Sequence, residues 1–347
     1  MVSPTRRQWQ RQALALALAP WCLPIAQPQD VARRWKTSPF ALGVASGSPR
    51  ADGVVLWTRL LIDESDRKSA LVGDAGANEA VVVHWELFAD EALRQLIRHG
   101  EVLTDATRGH SVHVPLRDLP AGRAFWYRFR CGDATSAVGR TRTAPAPDSA
   151  VQRLRLALAS CQHFEQGQYV AHRDIAEQSL DFVLFVGDYI YESSNPRFLV
   201  RRHEGGEPIT LDDYRQRYAQ YKRDPWLQAS HAAHPWVLMW DDHEVVNDYA
   251  NDRDNRYSPR EVFLARRAAA YQAYFEHQPL WLGPDPASPA RASMRLHDRL
   301  SWGTLADVWT LDCRQYRDYQ ACPDPVKGGA RTVINCAELD EPSRSLL

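Results

Sequence analysis

No apolar stretch in this chain is long enough to span a bilayer, so a transmembrane segment is not expected. There is no low-complexity tract and no convincing internal repeat. An excess of one charge sign is also missing: 42 Lys and Arg stand against 43 Asp and Glu, a formal net charge of −1. That balance argues against a generic nucleic-acid or anionic-membrane binder. Cysteine is scarce, with 6 in 347 residues. What the chain does have is length enough for two domains with sizeable cores. It also has 12 Trp and 13 Tyr, residues that fill cores or line pockets.

Residues 1–30 read as a twin-arginine export signal. Arg6-Arg7 follows Thr5, and an Ala/Leu run follows from Ala13 to Ala19, in the order basic, apolar, polar. The alternative is an ordinary amphipathic helix with a chance Arg-Arg pair. Cleavage after Ala26 fits this layout, and Cys22 lacks the neighbours of a lipidation site. The expected location is periplasmic or secreted, with the twin-arginine machinery as export partner. That route carries folded cargo, which suits a protein loaded with metal before export. Cys131, Cys161, Cys313, Cys322 and Cys336 remain downstream, an odd set that leaves at least one thiol unpaired. Cys322 and Cys336 flank a Pro/Gly-rich loop that a disulfide could close, and Cys161 is the candidate for a separate task.

Residues 36–148 carry strand and turn signals. Val54–Thr58, Val81–Leu87, Ser111–Leu116 and Ala124–Arg130 are β-rich, and Pro120-Ala121-Gly122 marks a turn. The expectation is an all-β sandwich, roughly fibronectin III-like, with Trp57, Trp85 and Trp126 in its core. Thr143–Asp148 reads as a stiff proline linker. Residues 151–347 change character. Apolar strands at Leu154–Ala159, Phe182–Val186 and Trp236–Trp240 alternate with helical stretches near Tyr169–Gln178 and Asp212–Arg223, the pattern of parallel βαβ units. A long helix over Pro259–Glu276 and a hairpin around Ser301-Trp302-Gly303 follow. His231 and His234 read as helix-end or surface residues.

Each of the three apolar strands ends in a polar cluster: Cys161, then Asp188 with Tyr191, then Asp242 with His243. In open α/β sheets, ligands bind at the carboxyl ends of the strands, so parallel neighbours would bring these groups together. A carboxylate, a phenol and a thiolate suit a hard, highly charged cation, Fe(III) best of all. Asp188 has two oxygens and can bridge to a second ion held by Asp242, a hard divalent cation such as Ca(II). Such ions lower the pKa of bound water and hold the attacking and leaving oxygens in line at phosphorus. His243 would then hold a phosphate oxygen or protonate the leaving alkoxide. The expected substrate is a small phosphate monoester or diester. Taken singly, each cluster has a bland reading: a turn, a packed tyrosine, a buried thiol or a helix N-cap.

Five segments together resemble the PhoD-like family of alkaline phosphatases and phosphodiesterases. They are Phe40–Pro49, Leu56–Leu60, Ala159-Ser160-Cys161-Gln162, Gly187–Glu192 and Trp240–Glu244. The resemblance covers nearly the whole mature chain. It implies a metallophosphoesterase-like α/β domain, an Fe(III)–Ca(II) centre, export and phosphoester hydrolysis. By motif, Cys161, Asp188 and Tyr191 would be iron ligands. Asp242 and His243 stand where wider metallophosphoesterases have Asn-His, and Asn247 would give support more than ligation. The family runs well past this length, so the α/β domain is expected to lack its C-terminal part, to expose a sheet edge and to bind iron poorly. Two further readings stay open: a non-catalytic cell-envelope binding protein derived from a phosphatase, and a hydrolase using Cys161 as nucleophile with His163 as base.

Overall fold

The computed structural model describes residues 34–62, 80–197, 199–256, 258–281 and 294–317. The export signal, Cys22, and the expected Cys322–Cys336 pair lie outside these residues.

Eight strands come first: β1 (Val44–Arg50), β2 (Gly53–Arg59), β3 (Val81–Phe88), β4 (Leu96–Thr104), β5 (Ser111–Leu116), β6 (Ala124–Cys131), β7 (Ala134–Thr135) and β8 (Gly139–Arg142). Then β9 (Leu156–Ala159), α1 (Val170–Glu177), β10 (Phe182–Val186), α2 (Leu211–Lys222), α3 (Pro225–Ala233) and β11 (Pro235–Met239) alternate. The helix α4 (Arg260–His277) and a hairpin of β12 (Asp298–Trp302) and β13 (Ala306–Thr310) complete the described chain. No described helix is long and apolar enough to cross a membrane.

One sheet has six strands in the order β5-β2-β1-β11-β10-β9. Strands β9, β10 and β11 are parallel, as the apolar runs predict; β10 and β11 are largely buried, while β9 forms the edge and leaves Leu156 and Leu158 exposed. The sheet continues past the linker: β1 joins β11 in parallel through Ser46↔Pro235 and Gly47↔Trp236. The expected boundary near residue 150 therefore does not interrupt it. A second sheet, β4-β3-β6-β7 with β8 on β6, shares a core with β1, β2 and β5, including Val54, Leu56 and Val114 against Val83, Phe125 and Phe129.

The tryptophan expectation needs correction. Trp57 is fully buried, but it packs with Leu42, Ala45, Leu61 and Ala219, and its Nε1 donates to the Glu276 carbonyl at 3.0 Å. It faces the helices and not the sandwich core. Along β6 the buried positions are Phe125, Tyr127, Phe129 and Cys131, so Trp126 falls on the outer face with Arg128. Trp85 is partly buried against the core. His231 and His234 are helix-end residues, as one of the two expected readings has it, in the last turn and at the C-cap of α3, but they are not on the surface. Both are buried: His231 stacks on Trp236 at 3.8 Å and bonds the Tyr189 hydroxyl at 2.7 Å, and His234 caps α3 and bonds the Ile175 carbonyl at 2.9 Å.

Candidate metal centre

The three parallel strands deliver their polar ends to one rim. Cys161 and Asp188 both adopt left-handed backbone, with φ of 57° and 56°. The two loops are tied together: Cys161 N–H donates to the Gly187 carbonyl and Gln162 N–H to the Asp188 carbonyl, each at 3.1 Å. Gly187 has φ of +112°, and a Cβ there would lie 2.5 Å from Asp241 Cβ, so only glycine fits between the β10 and β11 loops. Buried Glu244 ties these two loops together by accepting from Tyr189 N–H at 2.5 Å and Asp241 N–H at 2.8 Å. Burial first, and the Asp188 charge second, push its carboxyl up to about 8.

Ligand atoms of Asp188, Asp242 and His243 all lie within 4.8 Å of one another. The Tyr191 hydroxyl donates to Asp188 Oδ2 at 2.9 Å, while Asp188 Oδ1 is buried with no hydrogen-bond partner. An orphaned, buried carboxylate oxygen facing another carboxylate and an imidazole is costly unless a cation balances it. This donor set fits a hard metal ion. Cys161 is a free thiol beside Asp188 and Tyr191, both of which act on its sulfur. The sequence-predicted residues thus form two groups that share Asp188: Cys161, Asp188 and Tyr191, and Asp188, Asp242 and His243. The geometry places His243 among the carboxylates and not apart from them.

The tyrosine pKa is raised, by burial first and then by the Asp188 carboxylate. The Cys161 pKa is raised for the same two reasons, and a nucleophilic thiol needs the opposite shift. His163 Nδ1 is already occupied, accepting from Glu165 N–H at 3.2 Å. Neither observation favours Cys161 as a nucleophile. Burial also raises the Asp242 carboxyl, against the lowering effect of Asp248 N–H and Arg314.

Several residues of the site carry no role in the sequence reading. Glu192 Oε2 lies 2.6 Å from His243 Nδ1, and its Oε1 accepts from Asn247 N–H at 3.0 Å. Asn247 therefore supports the site through its backbone. Burial lowers the His243 pKa, but the bond and charge of Glu192 outweigh it, with Asp242 and Asp188 adding to them, and lift the imidazole to about 9. Arg314 bonds Asp241 at 2.6 Å and lies 3.3 Å from Asp242 and 3.6 Å from Asp248. The Tyr221 hydroxyl accepts from Phe164 N–H and Tyr191 N–H, which fixes the β9 and β10 loops to α2. Glu192 and Glu244 stood inside the quoted motifs, so their acidity was the available signal. Arg314 had none.

Residues 156–347 match the model of the PhoD-like phosphatases, and residues 25–145 match the model of the N-terminal domain of PhoD-like phosphatases. The chain belongs to the PhoD-like phosphatase family. It is 43% identical over 323 residues to alkaline phosphatase D of Bacillus subtilis (strain 168), which covers 92% of this chain and 53% of that protein. A solved structure of PhoD aligns with a TM-score of 0.77 at 44% identity, over 84% of this chain and 55% of that one. The chain spans about half the length of these relatives.

Proposed function

We propose that this chain carries the metal centre of an exported phosphoester hydrolase, acting on small phosphate monoesters or diesters. The observation that carries the reading is the unpartnered Asp188 Oδ1 beside Asp242 and His243. Cys161, Asp188 and Tyr191 would hold Fe(III), and Asp188 with Asp242 would hold Ca(II), a division that follows donor softness and charge. When bound, the ions supply Lewis acidity toward a phosphoryl oxygen and an acidified water. The protein's own part is positional. Gly187 lets the two loops meet, Glu244 ties them, and Tyr221 fixes the backbone of Tyr191. Glu192 engages His243 Nδ1, so Nε2 is the ring nitrogen left to hold a phosphate oxygen or to protonate the leaving alkoxide. The presence of His243 in the cluster favours the alternative for that nitrogen, metal ligation, which would commit its lone pair and leave proton transfer to other groups.

The relative named as an alkaline phosphatase supports the reaction class for this chain. Purified protein reconstituted with excess Fe(III) and Ca(II), as the expected weak iron binding requires, should show a visible tyrosinate-to-iron absorption that Tyr191→Phe removes, and should release nitrophenol slowly from nitrophenyl phosphodiesters. Colourless, inactive protein after loading would overturn the proposal.

A further inference from the structure

We propose that His163 is a phosphate-binding residue of this site, giving a fixed Nε2–H to an oxygen of the substrate's phosphoryl group. The inference rests on the phosphoester reading above and adds a residue to it.

Three observations carry it. The first is the tautomer. His163 is the N-cap of the short 3-10 turn Phe164–Gln166, and its Nδ1 accepts from Glu165 N–H at 3.2 Å. A nitrogen that accepts cannot carry the proton, so the neutral ring bears its hydrogen on Nε2. Nε2 has no hydrogen-bond partner among the described residues.

The second is position. The His163 ring lies 4.4 Å from the Tyr191 ring, which also neighbours the His243 ring at 4.2 Å. Tyr191 in turn donates to Asp188. His163 therefore stands beside one proposed ligand, Tyr191, and shares the wall of a cavity of about 460 Å³ with another, Cys161, together with Gln166 and Gln168. It is half-buried, so one side meets solvent while the other is packed.

The third is rigidity. His203 backs the ring at 5.4 Å and is itself pinned, its backbone N–H donating to Glu165 Oε1 at 2.9 Å and its Nε2 meeting the Tyr221 hydroxyl at 3.0 Å. The Glu165 carboxylate also accepts from Ser194 Oγ and Asn195 N–H. A buried carboxylate is thus committed to holding the segment that packs behind one imidazole. A donor that is fixed before the anion arrives costs little to order when it binds.

The two amide variants separate donor from cap. Asparagine keeps an acceptor at the Nδ1 position and is a good N-cap, but loses the distal donor. Glutamine keeps a distal N–H and loses the cap acceptor. With metal-loaded full chain and inorganic phosphate as probe, titration calorimetry should show His163→Asn weakening phosphate by about tenfold, as expected for one hydrogen bond to a charged group. His163→Gln should stay within about threefold of the parent. Metal content and the visible absorption should not move, and in turnover the effect should fall on KM more than on kcat. Unchanged phosphate affinity in His163→Asn, or loss of metal and colour along with affinity, would overturn the proposal, the latter because the ring would then merely support Tyr191. Phosphate binding that depends on His163 in a protein that cleaves no ester would leave this inference standing and remove the hydrolase reading. Hydrolysis indifferent to His163→Asn would do the reverse.

Discussion

Glu192 reaches His243 at 2.6 Å, from the loop after β10 to the loop after β11. The carboxylate is buried, and its second oxygen is taken by the Asn247 backbone. It therefore does not meet substrate, and acts by fixing which nitrogen of His243 is free. Outer partners of this kind typically change metal affinity or activity by about 10–100-fold when removed. Glu192→Gln should lower kcat within that range while thermal stability stays close to the parent, because the amide can still occupy the space. Steady-state kinetics beside a melting curve checks this. A parent-like kcat would show that His243 needs no orienting.

Gly187 makes a second expectation. At φ of +112° an alanine is strained whatever the space, and here its Cβ would also meet Asp241 N at 2.6 Å. The β10 and β11 loops would have to separate, carrying Asp188 away from Asp242. Gly187→Ala should cost about 1–3 kcal/mol of stability and should lose metal out of proportion to that cost. Metal analysis of folded variant protein is the check, and full occupancy would contradict it.

The buried pair of Arg215 and Glu276 joins α2 to α4. Its fork is bidentate, with both contacts at 2.6 Å, and Glu276 is fully buried. Replacing a buried ion pair by apolar groups can be neutral, but removing one partner strands a charge at about 3–5 kcal/mol. Glu276→Ala should lower stability by that order, and the double change Arg215→Met with Glu276→Leu should recover much of it. Urea unfolding of the two variants decides between them.

How far the sequence spoke depended on the range of the interaction. Phe182–Val186 announced a buried strand because every position is apolar, and Gly187-Asp188 then placed the carboxylate at its end. Cys161 and Asp242 followed by the same logic, since parallel strands share a rim. Arg314 was invisible, because its partners Asp241 and Asp242 lie more than seventy residues upstream and no local pattern links them. The joining of β1 to β11 was hidden for the same reason, resting on the paired positions of Ser46 and Gly47. Trp57 is a different failure. Gly53–Arg59 is buried at every position, and an unbroken run of that kind signals a strand covered on both faces, which leaves a tryptophan free to face the helices. Helix α3 was legible only at its end, through His231 and His234, although Asp224-Pro225 marks its start, with Asp224 Oδ1 accepting from Trp226 and Leu227 N–H.

His172 gives the fold a pH dependence whose sign can be worked out. It lies buried in α1, its Nε2 donating to Gln162 Oε1 at 2.7 Å, and its Nδ1 has no partner. Burial pushes the imidazole down to about 4 from an ordinary 6.5, because a second proton would put an unsatisfied charge in the interior. The unfolded chain binds that proton near 6.5 and the folded chain only near 4. Between those values the unfolded state holds more protons, so stability rises with pH, by up to about 1.4 kcal/mol per pH unit for one group. Acidification from 6.5 to about 4 should therefore weaken the fold progressively, and this residue should add nothing further below that window. His172→Leu loses the bond to Gln162 and should be less stable than the parent at pH 7. Its stability should nevertheless fall less steeply toward pH 5, by close to one proton. Urea midpoints of parent and variant across that range measure both quantities, and parallel pH profiles would refute the assignment.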